Sequence, residues 1–276
     1  VKPTLRMNRD ESVVTLRDKV IMKLGDEKSE VFENKSLCLL DISNNNNGKI
    51  PLNLFQTWYT KDLPPEMKEC VELLKSQNPE FTYQLFDDND CREFIASNFD
   101  SSVVDAFDKL VPGAFKADIW RYCVLYIHGG IYLDIKFQCV DGFKLIELTD
   151  KEYYVRDLPS SGLGLYNAVL VCSPGNKKLH DCIYQIVENV RSNYYGESYL
   201  DVTGPCLIKQ FFSDSEISSL DIELKVSIQR DWDANYDLTI HSIVNKGVVI
   251  LTRYTNYRVD QKKSINYIII RYYGKI

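Results

Sequence analysis

The sequence predicts an α/β fold in which a mixed, mostly parallel sheet is flanked by helices. Strand-like and helix-like segments alternate in repeated order from Ile50 to about residue 193, the pattern of parallel strands joined by crossover helices. No Pro-, Gly- or Ser-rich linker divides the 276 residues, and a 45% hydrophobic content over that length supports one well-buried core.

The elements follow in order. Residues 1–48 read as a separate extension, helical or irregular: Val13, Val14, Leu16, Val20, Ile21 and Leu24 fit one amphipathic helix or two short strands. Leu37 to Leu40 is a short buried-strand candidate, and the Asn44–Gly48 run is a loop and a natural boundary. A single domain is expected over 49–276. Leu52–Tyr59 reads as a strand, and Pro64-Pro65 opens a helix to about Gln77, where a missing N–H costs nothing. Phe81–Phe86 alternates as a strand, then helices are expected at about 90–98, 101–110 and Ala114–Ile127. Gly129-Gly130 stops the last of these, and Ile131–Ile135 is rich in β-formers. Strands at 152–156 and 166–172 precede a helix from about 176 to 193.

Composition excludes several classes. A net charge of −6 with no basic patch argues against nucleic acid as a partner. The eight cysteines form no CxxC pair; Cys123 and Cys172 lie in apolar runs and read as buried thiols, with one or two disulfides left open. Three histidines are too few for a multi-histidine metal site, and GxSxG, P-loop and HExxH motifs are absent. No apolar run reaches the roughly 18 residues that cross a bilayer. The chain as it stands reads as soluble and cytoplasmic, or luminal in the Golgi if an anchor once preceded Val1.

The chemistry concentrates in residues 115–137, FKADIWRYCVLYIHGGIYLDIKF. The helix puts Asp118 and Arg121 three residues apart on one face, and the strand after the glycines delivers Asp134 to its carboxyl end. Open α/β sheets bind ligands outside the carboxyl ends of their strands, so these residues form a polar cup suited to sugar hydroxyls and phosphates. The plain alternative is an exposed helical ion pair worth about 0.2–0.5 kcal/mol, with Asp134 an ordinary strand end.

This segment resembles the signature of the DXD-containing glycosyltransferase family that includes the fungal mannosyltransferase initiating outer chains and the animal α-1,4-galactosyl- and N-acetylglucosaminyltransferases. It is similar, more distantly, to the glucosylating domain of the large clostridial toxins. The resemblance is carried by Ala117-Asp118, Arg121, Leu125, Gly129-Gly130, Tyr132 and Asp134. Ile50-Pro51 with Phe55-Gln56-Thr57-Trp58, Asn78-Pro79-Glu80-Phe81 through Phe86-Asp87-Asp88, Asn167, and Thr203-Gly204-Pro205 match further family elements in order, over about residues 50–212. The resemblance implies a GT-A fold and transfer of a hexose from a UDP- or GDP-linked donor to a hydroxyl of a glycan or glycoprotein, with retention of configuration. It implies catalytic roles for Asp118, Arg121 and Asp134, and donor contacts from these three with Gln56, Trp58, Lys136 and Asn167, Trp58 lying near the base. Asp87 and Asp88 either line the nucleotide pocket or cap a helix, and the cap is the stronger reading.

The family's Mn²⁺ or Mg²⁺ would be held by Asp134, but the DXD motif here reads Asp134-Ile135-Lys136. A lysine in place of the second carboxylate repels a cation. The alternatives are a metal held by Asp134 with a C-terminal residue, a diphosphate neutralised by Lys136 itself, a module that binds sugar nucleotide or glycan without catalysis, or a Lys136 merely exposed at a strand end. Beyond residue 212 the pattern fades: Trp232-Asp233, Ser242 and the tyrosine-rich tail have no assigned role, and His241 reads as structural.

Overall fold

The computed structural model describes residues 50–140, 142–158, 164–230, 235–242 and 247–252. The extension at 1–48, Trp232-Asp233 and the tail tyrosines lie outside these residues.

The first strand, β1 (Asn53–Thr57), carries Leu54, Phe55 and Gln56 with almost no exposure, as expected of a strand covered on both faces. Pro64 and Pro65 open α1 (Pro65–Gln77), which buries Met67, Cys70, Val71 and Leu74 at helical spacing. Asn78 then ties this crossover down: its amide donates to Leu74 O at 2.9 Å and accepts from Leu145 N at 2.8 Å. After β2 (Thr82–Phe86), Asp87 caps α2 (Asp88–Asn98) through a reciprocal box with Asp90. The capping reading of the Asp87-Asp88 cluster is the one observed. Asp100 caps α3 (Ser101–Lys109), and Pro112 precedes α4 (Gly113–His128).

Every residue from Asp118 to Leu125 of α4 is buried, so this helix has no solvent face along its middle. It ends at Gly129 (φ 60°) and Gly130 (φ 115°). A Cβ on Gly130 would sit 2.6 Å from the Asn53 carbonyl oxygen, and one on Gly129 would sit 2.5 Å from Pro174 Cδ, so the pair permits both the turn and the close approach. β3 (Gly130–Leu133) follows, fully buried.

The remaining elements are β4 (Phe137–Cys139), β5 (Tyr153–Arg156), β6 (Leu165–Cys172), α5 (Lys177–Arg191), the short α6 (Pro205–Lys209) and α7 (Asp214–Ser218), and β7 (Ile222–Arg230), β8 (Asn235–Ser242) and β9 (Gly247–Thr252). Among the described residues, one nine-stranded sheet runs in the order β2-β1-β3-β6-β5-β7-β8-β9-β4. Alternate side chains divide its core. Phe55, Tyr132 and Leu170 face the cluster built by α2 to α6, whereas Leu54, Ile131 and Val169 face the other side with Leu74, Leu145 and Leu148.

The α/β class and the mixed sheet are as expected. The mostly parallel character needs correcting. β1 is parallel to β2 and β3, and β5 to β7, but β3–β6, β5–β6, β7–β8, β8–β9 and β4–β9 are antiparallel. Parallel pairing needs a long crossover, and after β3 the short connections of β7, β8 and β9 allow only antiparallel neighbours. The strand expected to reach Ile135 also stops earlier. Asp134 N still donates to Ala168 O at 2.9 Å, but Asp134 O accepts from Phe137 N at 3.0 Å, closing a turn over Ile135 and Lys136.

The seven described cysteines are free thiols, and Cys123 and Cys172 are buried as expected. No described helix is long and apolar enough to cross a membrane.

Candidate active site

The ends of β1 and β3 lie side by side because the two strands are parallel, and α4 passes beside them. This brings Asp118, Arg121, Asp134, Lys136, Gln56 and Asn167 together. Asp118 and Arg121 are 7% and 5% exposed, which rules out the exposed ion pair. Arg121 Nη2 lies 3.3 Å from Asp118 Oδ1 and 3.5 Å from Asp134 Oδ1. Its Nη1 donates to Asn167 O at 2.7 Å and its Nε to Ala117 O at 3.1 Å, while the guanidinium stacks 4.4 Å from the centre of the Tyr132 ring.

Each carboxylate oxygen faces a donor. Asp118 Oδ1 accepts from Asn167 Nδ2 at 2.9 Å and Oδ2 from Thr203 Oγ1 at 2.7 Å. Asp134 Oδ1 accepts from Tyr132 Oη at 2.9 Å and Oδ2 from Lys136 Nζ at 2.8 Å. Two carboxylates and two cations therefore balance in a space from which water is largely excluded. The environments pull the two acids apart. Burial raises the Asp118 carboxyl above its usual range despite Arg121. For Asp134 burial acts the same way, but Lys136 and Arg121 outweigh it and hold the group below that range.

Lys136 is not an exposed strand-end residue: its side chain is 14% exposed and folds back on Asp134 from the turn. Gln56 lies fully buried beneath the cluster, donating to Asp134 O at 3.4 Å and accepting from Tyr83 Oη at 3.0 Å. Asn167 Nδ2 is shared between Asp118 and Tyr122 Oη. Trp58, 8% exposed, packs with Met67, Val71 and Ile135, its ring 5.3 Å from that of Tyr59, which is 44% exposed. Thr203 and Tyr132 join the site although no role was assigned to them from sequence. Both stand in the family-like segments, and that placement was the available signal.

A divalent cation is implied by the resemblance. The described residues do not by themselves fit one: Asp134 Oδ2 is covered by an ammonium, and they contain no cluster of three or more acidic, Cys or His side chains able to hold a metal. Such ions demand several oxygen ligands at about 2.0–2.6 Å.

A buried carboxylate–guanidinium cluster thus lies beside the carboxyl ends of parallel strands, within an α/β sheet of mixed pairing, and its groups are suited to sugar hydroxyls and phosphates. Residues 64–153 match the family described as "Glycosyltransferase sugar-binding region containing DXD motif". Among relatives, the chain is 32% identical over 183 residues to "Inositol phosphoceramide mannosyltransferase 3" of Schizosaccharomyces pombe, covering 63% of this chain and 48% of that protein. It is 28% identical over 91 residues to "Initiation-specific alpha-1,6-mannosyltransferase" of Candida albicans, covering 31% of this chain and 24% of that one. The chain thus spans at most about half the length of these relatives. Among solved structures, it superposes on "PaToxG Glycosyltransferase" with a TM-score of 0.49 at 17% identity, over 62% of this chain and 74% of that one.

Proposed function

We propose that this chain transfers a hexose from a nucleoside diphosphate donor to an acceptor hydroxyl, with retention of configuration. The observation that carries this reading is the buried Asp118–Arg121–Asp134 cluster at the strand ends, inside the DXD-family region. The names of the relatives favour mannose as the sugar. They favour a glycan hydroxyl or that of an inositol phosphoceramide as the acceptor.

In this reading Asp118 and Asp134 accept hydrogen bonds from sugar hydroxyls. Arg121 holds the two carboxylates at fixed separation, so the site is organised before the donor arrives. Gln56 and Asn167 fix Asp134 and Asp118 through the hydrogen bonds described above, and Trp58 with Tyr59 borders the base. The C1–O bond of the donor breaks with its electron pair passing to the leaving phosphate, a bond forms from C1 to the acceptor oxygen, and the acceptor proton goes to that phosphate. No protein base is required.

The test is thermal unfolding against a panel of UDP- and GDP-hexoses, followed by product analysis with the donor that binds. A donor at about 100 times its Kd stabilises by about 2.7 kcal/mol, which raises Tm by a few degrees. NMR of the product then reads the anomeric configuration. Lys136 on Asp134 favours one second reading, a module that binds sugar nucleotide without transferring it. Binding with no product from any acceptor would select that reading, and no binding by any donor would reject both.

A further inference from the structure

We propose that Gly204 makes the room for the transferred sugar: the side chain it lacks leaves Asp118 Oδ2 open to a sugar hydroxyl, so position 204 selects the hexose and not the nucleotide. This rests on the glycosyl-transfer reading and adds to it the residue that admits the sugar.

The two oxygens of Asp118 are unequally occupied. Oδ1 accepts from Asn167 Nδ2 at 2.9 Å and lies 3.3 Å from Arg121 Nη2, whereas Oδ2 accepts, among the described residues, from Thr203 Oγ1 alone at 2.7 Å. A carboxylate oxygen accepts about two hydrogen bonds, so Oδ2 has one more to take. The Asp118 side chain keeps 10% exposure, so the carboxylate is not sealed off. Gly204 stands at that oxygen. A Cβ on it would lie 3.4 Å from Asp118 Oδ2, 3.4 Å from the Leu200 carbonyl oxygen and 3.7 Å from Leu200 Cα, its nearest neighbours. These are ordinary contact distances, so the protein by itself has room for an alanine here. A close-packed interior leaves few methyl-sized spaces unused. Both polar atoms that bound this one are acceptors. They suit hydroxyls, each with a hydrogen to donate, and disfavour ionised phosphate oxygens, which have none.

The fold does not ask for glycine at this position. Gly130 needs its φ of 115°, and a Cβ on Gly164 would meet Pro205 Cβ at 2.9 Å, whereas Gly204 has φ −99° and no such overlap. It precedes α6 without offering a side-chain cap, and serine or asparagine would cap that helix better. The segment is also held in place. Val202 O accepts from Asn189 Nδ2 at 2.9 Å, Thr203 O from Tyr122 Oη at 3.2 Å, and Gly204 O from Leu207 N at 3.0 Å. A methyl group on residue 204 would therefore stand against a hydroxyl approaching Oδ2, with no easy retreat.

The test is calorimetric titration of the full chain with UDP, GDP and their hexose conjugates in buffer containing Mn²⁺, for the parent, Gly204→Ala and Gly204→Ser, with Tm and transfer rate measured alongside. Both variants should keep the parent's affinity for the nucleotide, lose about tenfold or more of its affinity for the nucleotide sugar, and lose transfer with it. Serine supplies a helix cap, so Gly204→Ser should melt no lower than the parent while still refusing the sugar. Unchanged nucleotide-sugar affinity and transfer in a folded Gly204→Ala would overturn the assignment and leave the glycosyl-transfer reading intact. So would an equal fall for nucleotide and nucleotide sugar, the mark of a purely structural role. The parent alone gives a further check, with donors in which one sugar hydroxyl at a time is replaced by hydrogen. At least one replacement should weaken binding about tenfold, and a series with no such member would overturn the assignment even if both variants misfold. A folded parent that binds no nucleotide and no nucleotide sugar would overturn both readings.

Discussion

Thr203 donates its hydroxyl to Asp118 Oδ2 at 2.7 Å, joining residues 85 positions apart in the chain. Both are buried, Thr203 completely. Thr203→Val keeps the shape and leaves a buried carboxylate oxygen without this donor, a change that costs about 1–3 kcal/mol. Urea denaturation should show that loss, and Thr203→Ser should recover most of it. A Val variant as stable as the parent would mean that water replaces the hydroxyl.

Gly130 is the second point of leverage. An alanine there meets the Asn53 carbonyl at 2.6 Å and must adopt φ near 115°. Backbone strain of this kind costs about 1–3 kcal/mol before the overlap is counted. Because β1 and β3 are the strands that carry Gln56 and lead into Asp134, nucleotide binding should fall together with stability. Unchanged melting in Gly130→Ala would show that the two strands can separate freely.

The opposed shifts of the two acids give a pH signature. Asp134 lies below the ordinary carboxylate range when folded, so its contribution is fully present above the unfolded pKa of about 3.9 and is lost as pH falls through the lower folded value. Asp118 lies above that range when folded, so its contribution is present below the unfolded pKa and is lost as pH rises through the folded value. Across the acid limb of Tm against pH, the parent's margin over Asp134→Asn should therefore widen with rising pH, and its margin over Asp118→Asn should narrow. Margins that move in the same direction would contradict the assigned environments.

Thiol labelling probes the packing. Among the described cysteines only Cys206 is half-buried rather than buried, and burial pushes the Cys139 thiol up to about 11. Peptide mapping after brief native labelling should find Cys206 modified, and Cys70, Cys91, Cys123, Cys139, Cys172 and Cys182 protected until urea is added. Early labelling at Cys123 or Cys172 would place α4 or β6 outside the stable core.

What the sequence made readable is mostly what is close together in it. Asp118, Arg121, the glycine pair and Asp134 fall within one helix–turn–strand unit, so their spacing fixed their meeting. Pro64-Pro65 and the Asp87–Asp90 box are local signals of the same kind. The burial of the Asp118–Arg121 pair was not readable, since a spacing of three is the same on a wet helix face and a dry one. Thr203 and Asn167 reach Asp118 from distant segments, and only the fold selects such partners. The seat of Lys136 was not readable either: the strand ends at Leu133, and a turn puts the ammonium on Asp134. The antiparallel β7–β8–β9 run lies where the family pattern had faded.

The unbroken burial of α4 from Asp118 to Leu125 bears on how this protein could be re-engineered. A helix with a wet side offers positions where side chains can be exchanged cheaply, and directed evolution usually finds its footholds there. Here Asp118 and Arg121 sit in a stretch with no such positions, so new donor preference would have to be written elsewhere. The exposed Tyr59 is a part of the site that a library can vary without reopening the core.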